Sequence, residues 1–116
     1  MAERLTTREV RELAFAFVCG AMGVTRRELL SHRRQPHLVE ARTLFVWLVR
    51  THGPDTISYP MIAEWIGDRD HTSIMHLFKV KAPLLLERNS NFAILCDRFD
   101  DWLNTIEEKY RVITCG

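Results

Sequence analysis

Apolar residues recur at the helical period along most of the chain, and no segment of useful length alternates apolar and polar positions as a strand does. Thr6 and Glu9 have the spacing of a capping box, and the helical pattern that follows them stops at Gly23. Thr25 and Glu28 repeat this spacing before a short apolar run, which predicts a helix of one or two turns. The whole pattern predicts an all-α fold, a compact bundle of about six helices.

The most apolar segment, residues 37–52, reads HLVEARTLFVWLVRTH and stops at Gly53 and Pro54. A helix that is apolar on most faces belongs at the centre of a fold. The basic stretch before it, SHRRQP, is predicted to be a loop with exposed arginines. The reason is that Pro36 restricts the residue before it to extended geometry and is favourable at the start of a helix.

Three further helices are predicted after residue 57. Ser58 can cap a short amphipathic helix, and Asp70 can cap another over residues 71–82, which Pro83 ends or kinks. Ser90 can cap a last helix that ends at about residue 112. The apolar stripe of this last helix consists of Phe92, Leu95, Cys96, Phe99, Trp102, Leu103, Ile106 and Tyr110. The acidic residues outside the stripe are Asp100, Asp101, Glu107 and Glu108.

Length and composition are those of one soluble domain. The chain has 116 residues, of which 47% are hydrophobic and 27% charged, so residues 1–116 are predicted to form a single helical domain. The longest apolar stretch, Leu13–Val24, is far shorter than the roughly 20 apolar residues of a membrane helix, and no signal peptide precedes it. We expect a cytoplasmic protein without membrane contact. Since the chain starts at Met1 and its first helix is well capped, we also expect a free-standing domain.

Cysteines and histidines do not have the spacing of a metal site or an active site. Cys19, Cys96 and Cys115 are widely separated and form no C-x-x-C motif. His71 and His76 lack the i, i+4 spacing of a helical metal site and have no third ligand nearby. No G-x-x-x-x-G-K-[ST] motif for nucleotide binding occurs, and no nucleophile and base converge. We therefore expect no enzyme activity, no cofactor, no metal and no nucleotide.

Positive charge is concentrated in one segment, although the net charge of the chain is only +1. Residues 26–50 contain six arginines and two glutamates. Such a concentration is typical of a surface that binds a polyanion. A solvated surface without a partner is the alternative that the count leaves open.

The stretch GDRDHTSIMH, residues 67–76, joins two of the predicted helices by a short turn that contains a glycine, which is the layout of a helix-turn-helix. On a helical wheel the second helix separates an apolar side from a polar side. The apolar side consists of Ile74, Leu77 and Phe78, and the other side of His71, Thr72, Met75, His76 and Lys79. In this motif the second helix enters the major groove of DNA with its N-terminal residues at the base edges.

The string RDHTSIMH, preceded by ISYPMIAEWIGD and by HRRQPHLVEARTLFVWLVR, resembles the C-terminal DNA-binding domain, domain IV, of the bacterial replication initiator DnaA. That family has a G-R-D-H-T-T signature at the start of its recognition helix, a V-x-A-R helix before it and a basic loop before that. The resemblance extends from about Val24 to Ile106. It implies a Trp-repressor-like, DnaA domain IV-like fold that lacks the ATPase module of the initiator.

The resemblance also implies roles for individual residues in the recognition helix. Asp70, His71 and Thr72 match the residues that read bases in the major groove of a DnaA box. Ser73 matches a threonine that contacts phosphate, and it keeps the hydroxyl group. The implied function is sequence-specific binding of double-stranded DNA at DnaA-box-like sites by a monomeric, nucleoid-associated protein, which regulates replication initiation or transcription by occupancy.

Further contacts are implied outside the recognition helix. Arg34, in the basic loop, matches an arginine that enters the neighbouring minor groove, and Arg42 and Arg50 match positions that hold the DNA backbone. The complete predicted DNA-binding set is Arg33, Arg34, Arg42, Thr43, Arg50, Tyr59, Pro60, Arg69, Asp70, His71, Thr72 and Ser73.

The sequence departs from the family pattern in two places, and the first of them, together with the low net charge, favours a different hypothesis. Asp68 replaces a glycine or small polar residue and adds negative charge near the expected phosphates, and the loop THGPDTIS looks about two residues longer than in the family. The alternative function is a protein–protein interaction module that keeps the fold without specific DNA reading. Its protein partner would bind the recognition face or the acidic C-terminal helix.

Overall fold

Seven α-helices and one π-helical turn form the described part of the chain. The computed structural model describes residues 5–67 and 69–115, apart from the side chains of residues 107–115. The helices are α1 (Thr7–Met22), α2 (Arg26–Leu30), α3 (Pro36–His52), α4 (Tyr59–Trp65), α5 (His71–His76), α6 (Ala82–Arg88) and α7 (Ser90–Cys115). The π-helical turn, Leu77–Lys81, joins α5 and α6 into one continuous helix. The predicted all-α bundle of about six helices is confirmed, and the described residues contain no strand.

Both predicted capping boxes are present. The backbone N–H of Glu9 donates to Thr6 Oγ1, and the backbone N–H of Thr6 donates to the Glu9 carboxylate at 2.9 Å. Thr25 and Glu28 make the same reciprocal pair at the start of α2. Helix α1 ends at Gly23, whose φ of 63° places it in the left-handed region, where a residue without a Cβ has no steric penalty. The caps therefore set the ends of α1 and the start of α2 locally.

Helix α3 lies at the centre of the core, as predicted from its apolar character on most faces. Seven of its apolar residues are buried: Leu38, Ala41, Leu44, Phe45, Val46, Leu48 and Val49. Phe15 of α1 stacks on Phe45 with ring centroids 4.3 Å apart, and Trp47 stacks on Phe78 of the π-helical turn at 5.2 Å. One helix thus positions both α1 and the second helix of the helix-turn-helix.

Helix α7 packs on the bundle through the predicted stripe, but its cap differs from the prediction. Asn89 Oδ1 accepts hydrogen bonds from the backbone N–H groups of Asn91 and Phe92, at 3.1 and 3.2 Å, so Asn89 and not Ser90 caps the helix. Phe99 is buried and packs edge-on against Phe17 of α1 at 5.2 Å. The predictions for the side chains of Glu107, Glu108 and Tyr110 fall outside the part of the chain whose side chains are described, as does the prediction for Cys115.

The helix that begins at His71 does not stop before Pro83, which corrects the predicted end at about residue 82. It continues through α6 to Arg88. In a regular α-helix the ring of Pro83 would clash with the carbonyl group four residues earlier. The π-helical turn is wider, since the backbone N–H of Ala82 donates to the carbonyl of Leu77, five residues earlier. We attribute the continuation past the proline to this wider turn.

Candidate nucleic-acid interface

The first turn of α5 presents four consecutive polar side chains to solvent. Asp70 caps the helix, since its Oδ1 accepts from the backbone N–H of Thr72 at 3.0 Å, as predicted. Asp70, His71, Thr72 and Ser73 are all exposed. Ile74, the next residue, is fully buried and holds the helix on the core. The predicted division of this helix into a buried and a polar side is therefore confirmed.

The turn before α5 lies directly against the end of α2. Gly67 has a φ of 100°, a conformation that residues with a side chain rarely adopt. A Cβ atom at this position would also overlap the carbonyl group of Leu30. Gly67 is thus required both by its backbone conformation and by the close approach of two chain segments. The effect predicted for Asp68 lies outside the described residues.

The segment after α2, residues 31–35, is the predicted loop, and we call it the basic loop. Arg33 and Arg34 are both exposed on it. Helix α4 begins with Tyr59 half-buried and Pro60 exposed. The predicted contact residues Arg33, Arg34 and Pro60 therefore have accessible side chains.

Arg42 anchors the basic loop from inside the protein and is only 3% exposed. Its Nε donates to the carbonyl of Leu29 at 2.9 Å, its Nη1 to that of Arg33 at 2.6 Å and its Nη2 to that of Ser31 at 2.8 Å. Burial, with a smaller contribution from the charge of Arg69, lowers the pKa of Arg42 to about 10. The prediction that Arg42 holds the DNA backbone is corrected, because its donors bind carbonyl groups of its own chain.

Thr43 is also an interior residue, which corrects its place in the predicted DNA-binding set. Its side chain is fully buried, and Oγ1 donates to the carbonyl of Val39 one turn earlier at 2.7 Å. A hydroxyl group on a helix interior commonly makes this bond to its own helix. Thr43 therefore contributes to the packing of α3 and has no access to a ligand.

Arg69 connects the turn before α5 to the end of α2 and to the basic loop. Its Nε donates to the carbonyl of Ile66 at 3.0 Å, and its Nη2 donates to the carbonyls of Leu29, at 3.4 Å, and Ser31. Burial and the nearby charge of Arg34 both lower the pKa of Arg69.

Arg50 is half-buried between two aromatic rings at the other end of the helix-turn-helix. Its guanidinium lies over the ring of Tyr59 at 4.4 Å and over that of Phe78 at 5.2 Å. Nη1 also donates to the carbonyl of Ile57 at 2.6 Å. Stacking on an aromatic face is a common arrangement for arginine. Arg50 thus joins α3 to the start of α4 and to the helix that contains Phe78, and its Nε is buried without a hydrogen-bond partner among the described residues.

A shallow cleft of about 280 Å³ lies between α4 and the start of α5. Its lining residues are Pro60, Ala63, Glu64, Arg69, Asp70 and His71. Glu64 is absent from the predicted set, because one glutamate on a short helix has no sequence signal that separates it from a solvated residue. The cleft extends the surface of the α5 N-terminus toward α4.

The described residues contain no group of three or more His, Cys, Asp or Glu side chains that could hold a metal ion. Within the same residues, no helix combines the length and the apolar character needed to span a bilayer.

Helix α4 is held on the core by buried residues, the turn after it contains Gly67, and α5 begins with exposed polar side chains. These features define a helix-turn-helix domain, the class that binds DNA through its second helix. The sequence matches the family described as "Bacterial dnaA protein helix-turn-helix" over residues 12–80, more than half of the chain. The chain belongs to this family.

Several curated proteins are similar to the chain. The chromosomal replication initiator protein DnaA of Aliarcobacter butzleri (strain RM4018) is 32% identical over 82 residues, which are 69% of this chain and 18% of the relative. The protein of the same name from Synechococcus sp. (strain JA-2-3B'a(2-13)) is 28% identical over 96 residues, 83% of this chain and 18% of the relative. The protein of the same name from Rhizobium meliloti (strain 1021) is 40% identical over 53 residues, which are 46% of this chain and 11% of the relative.

The chain thus matches about a fifth or less of the length of these curated relatives. No solved structure matches the chain significantly.

Proposed function

We propose that this protein binds double-stranded DNA sequence-specifically, with the first turn of α5 in the major groove. The observation that supports the proposal most strongly is the row of four exposed side chains, Asp70 to Ser73, on a helix start that is capped and held from below by buried Ile74. In helix-turn-helix proteins this part of the second helix contacts base edges.

The residue types of this turn are suited to base reading. A carboxylate such as Asp70 can accept from cytosine N4, the methyl group of Thr72 can contact that of thymine, and a hydroxyl such as that of Ser73 can bind a base or a phosphate. His71 is exposed beside Asp70, with its Nδ1 3.7 Å from an oxygen of that carboxylate. Each well-placed contact contributes about 1–3 kcal/mol of discrimination against a wrong base.

The basic loop provides the second part of the proposed interface. Arg34 enters the minor groove beside the site, and Arg33, Ser73 and the exposed parts of Arg50, Tyr59 and Pro60 contact sugar and phosphate. Support comes from the exposure of both loop arginines and from the hydrogen bond by which Arg69, in the turn before α5, contacts the carbonyl of Ser31 in the basic loop. Phosphate contacts orient such a domain on the duplex, while base contacts supply specificity.

We further propose that the sites are DnaA-box-like and that one monomer binds each site. The relatives in which this domain occurs are named chromosomal replication initiator proteins. Occupancy of DNA is the action that a helix-turn-helix domain can carry out by itself. We therefore propose that the protein regulates replication initiation or transcription at the sites it covers.

The test is fluorescence anisotropy with a labelled DnaA-box duplex and a scrambled duplex of the same composition, over a salt series. We expect at least about tenfold tighter binding to the DnaA box, since one to two base contacts are worth that much. His71→Ala should lower the affinity for the DnaA box and leave that for the scrambled duplex unchanged. Arg34→Ala should also lower the affinity for the DnaA box, since it removes the proposed minor-groove contact. Arg98→Ala, which removes one positive charge from the exposed surface of α7, is its control.

Equal affinity for both duplexes, unaffected by His71→Ala, would contradict sequence reading. Absence of binding to either duplex at low salt would favour the protein-interaction module instead. The observation behind that second candidate is the exposed acidic surface of α7, which includes Asp97 and Asp101.

A further inference from the structure

Arg69 lies in the turn between α4 and α5, which we call the recognition turn, and its side chain contacts the segment that leads into the basic loop. Its Nη2 donates to the carbonyls of Leu29 and Ser31, while its Nε donates to the carbonyl of Ile66 in its own turn. A single guanidinium thus connects the chain immediately before α5 to the chain immediately before Arg33 and Arg34.

We propose that Arg69 is a positioning residue, which sets the basic loop relative to the start of α5, and not a ligand of DNA. The proposal depends on the proposed function for its consequence, because the loop and the helix would occupy adjacent grooves of one duplex. It replaces the direct DNA contact that the sequence predicts for Arg69.

The donors of Arg69 support this role. The described hydrogen bonds use Nε and Nη2, and all three acceptors are backbone carbonyls. The side chain is half-buried, in contrast to the exposed residues that follow it. A planar guanidinium can bind several carbonyls at once in a fixed arrangement, whereas the ammonium group of lysine cannot reproduce that arrangement.

The basic loop needs such an anchor because it has no regular secondary structure of its own. Arg42 fixes the loop to the central helix through the carbonyls of Ser31 and Arg33. Arg69 fixes the same segment to the recognition turn. The two arginines therefore have different roles, since Arg42 holds the loop on the core and Arg69 determines its distance from the residues that read the major groove.

A mutant cycle between Arg69→Lys and the loss of both loop arginines, Arg33→Ala with Arg34→Ala, tests the coupling, because Arg69→Lys keeps the charge and loses the planar fork. We expect Arg69→Lys alone to weaken binding to the DnaA-box duplex by about fivefold or more. In the background that lacks both loop arginines the same change should have less than about a twofold effect, since the contacts that Arg69 positions are already absent. Arg98→Lys, on exposed α7, is the matched control.

A direct phosphate contact by Arg69 gives different results. The lysine would preserve most of the binding, and the losses from the two changes would multiply in the variant that combines them. Either of these outcomes would overturn the proposal. The salt dependence provides an independent comparison, because one lost phosphate contact lowers the slope of log K against log salt by about 0.9. We expect Arg69→Lys to lower the slope only while Arg33 and Arg34 are present.

A second measurement needs no DNA and separates this proposal from the proposed function. In limited digestion of the folded protein, trypsin cleaves after Arg33 and Arg34 when the basic loop detaches from the recognition turn. Trypsin cleaves after lysine as well as arginine, so Arg69→Lys leaves the number of tryptic sites unchanged. We expect cleavage in the loop to be about fivefold faster or more in Arg69→Lys than in Arg98→Lys, with an unchanged Tm. Unchanged loop cleavage would refute the positioning role even if the protein binds DNA. Faster cleavage with no DNA binding by the unaltered protein would refute the proposed function alone.

Discussion

Arg42 and Arg69 donate hydrogen bonds to the same two carbonyl oxygens, those of Leu29 and Ser31. Both carbonyls lie at the C-terminal end of α2, where unpaired carbonyl groups carry partial negative charge. Two cations therefore share a site built from backbone dipoles, with no carboxylate among the acceptors described for either guanidinium. This shared site is where the core, the basic loop and the recognition turn meet.

Replacing Arg42 by methionine should destabilise the protein. The change leaves the Arg33 carbonyl without the donor described for it, and leaves the carbonyls of Leu29 and Ser31 with Arg69 as their remaining guanidinium partner. We therefore expect the free energy of unfolding to fall by about 1–3 kcal/mol. The urea midpoint of circular dichroism at 222 nm measures this. Arg98→Met on the exposed surface should change the free energy of unfolding by no more than about 0.5 kcal/mol. A loss of similar size in both variants would argue against the anchoring role of Arg42.

Two glycine-to-alanine changes should have opposite effects on stability. Gly67→Ala forces a side chain into a left-handed conformation and against the Leu30 carbonyl, and we expect a loss of about 1–3 kcal/mol. Gly20, in α1, has open space where its Cβ would be, so Gly20→Ala should stabilise the protein by about 0.5–1 kcal/mol through its higher helix propensity. Thermal unfolding of both variants checks the signs, and a stabilised Gly67→Ala would be inconsistent with the close approach at this turn.

Substitutions of Asp70 should separate helix capping from base reading. Asparagine keeps a side-chain oxygen that can accept from the Thr72 N–H, so Asp70→Asn should change the stability by only a few tenths of a kcal/mol. Asp70→Ala loses the cap and should cost about 1 kcal/mol. Anisotropy with duplexes altered one base pair at a time then shows whether Asp70→Asn changes the preferred base. Equal Tm values for the two variants would contradict the capping role.

Glu9 and Glu28 should make stability fall at acid pH. The hydrogen bonds from the Thr6 and Thr25 backbone N–H groups are the largest cause that lowers the pKa of each carboxyl group below its usual value of 4.5. The folded state therefore binds fewer protons than the unfolded state around pH 4, so this stabilisation is present above pH 4.5 and lost as the pH falls through the lowered pKa values.

The measurement is Tm between pH 3 and pH 6 for the unaltered protein and for a Glu9→Gln, Glu28→Gln variant. Glutamine keeps an oxygen acceptor in each capping box but does not titrate, so the variant should lose less stability over this range. Parallel curves for the two proteins would exclude a contribution from these carboxyl groups.

Cys96 should be unreactive in the folded protein. Burial, with a smaller effect of Asp97, raises the pKa of its thiol to about 11 from 9.0. At pH 8 the thiolate population is then roughly a hundredth of that of an exposed cysteine, and the thiolate is the reactive form. Reaction with a disulfide reagent, followed by mass spectrometry of the modified position, should be slow in the folded state and fast in urea. A fast native reaction at Cys96 would show that the thiol is accessible.

Sequence patterns predicted the features that depend on local chemistry. The two capping boxes, the cap at Asp70, the loop before Pro36 and the central place of α3 all follow from residues close together in the chain. The position of Asn89 as the cap of α7 was missed by one residue, because Asn89 and Ser90 are both good capping residues.

The roles of the interior arginine and threonine could not be predicted in the same way. Arg42 and Thr43 look like surface residues by type, although they lie in the segment that was predicted to be central. Their acceptors are backbone carbonyls, and backbone groups have no signature in the sequence. The hydrogen bonds of Arg69 could not be predicted for the same reason, because its distant acceptors are also backbone carbonyls, about 40 positions earlier in the chain.

The π-helical turn determines which side of the following helix faces the core. It keeps Ala82 buried and leaves Val80 and Leu84 exposed on the far side of the same continuous helix. Deleting a single residue from Leu77–Lys81 would replace the wide turn by a regular α-helical one, in which the ring of Pro83 would meet the carbonyl group four residues earlier. The length of this short segment is therefore fixed, and it acts as a spacer between the start of the recognition helix and the long C-terminal helix.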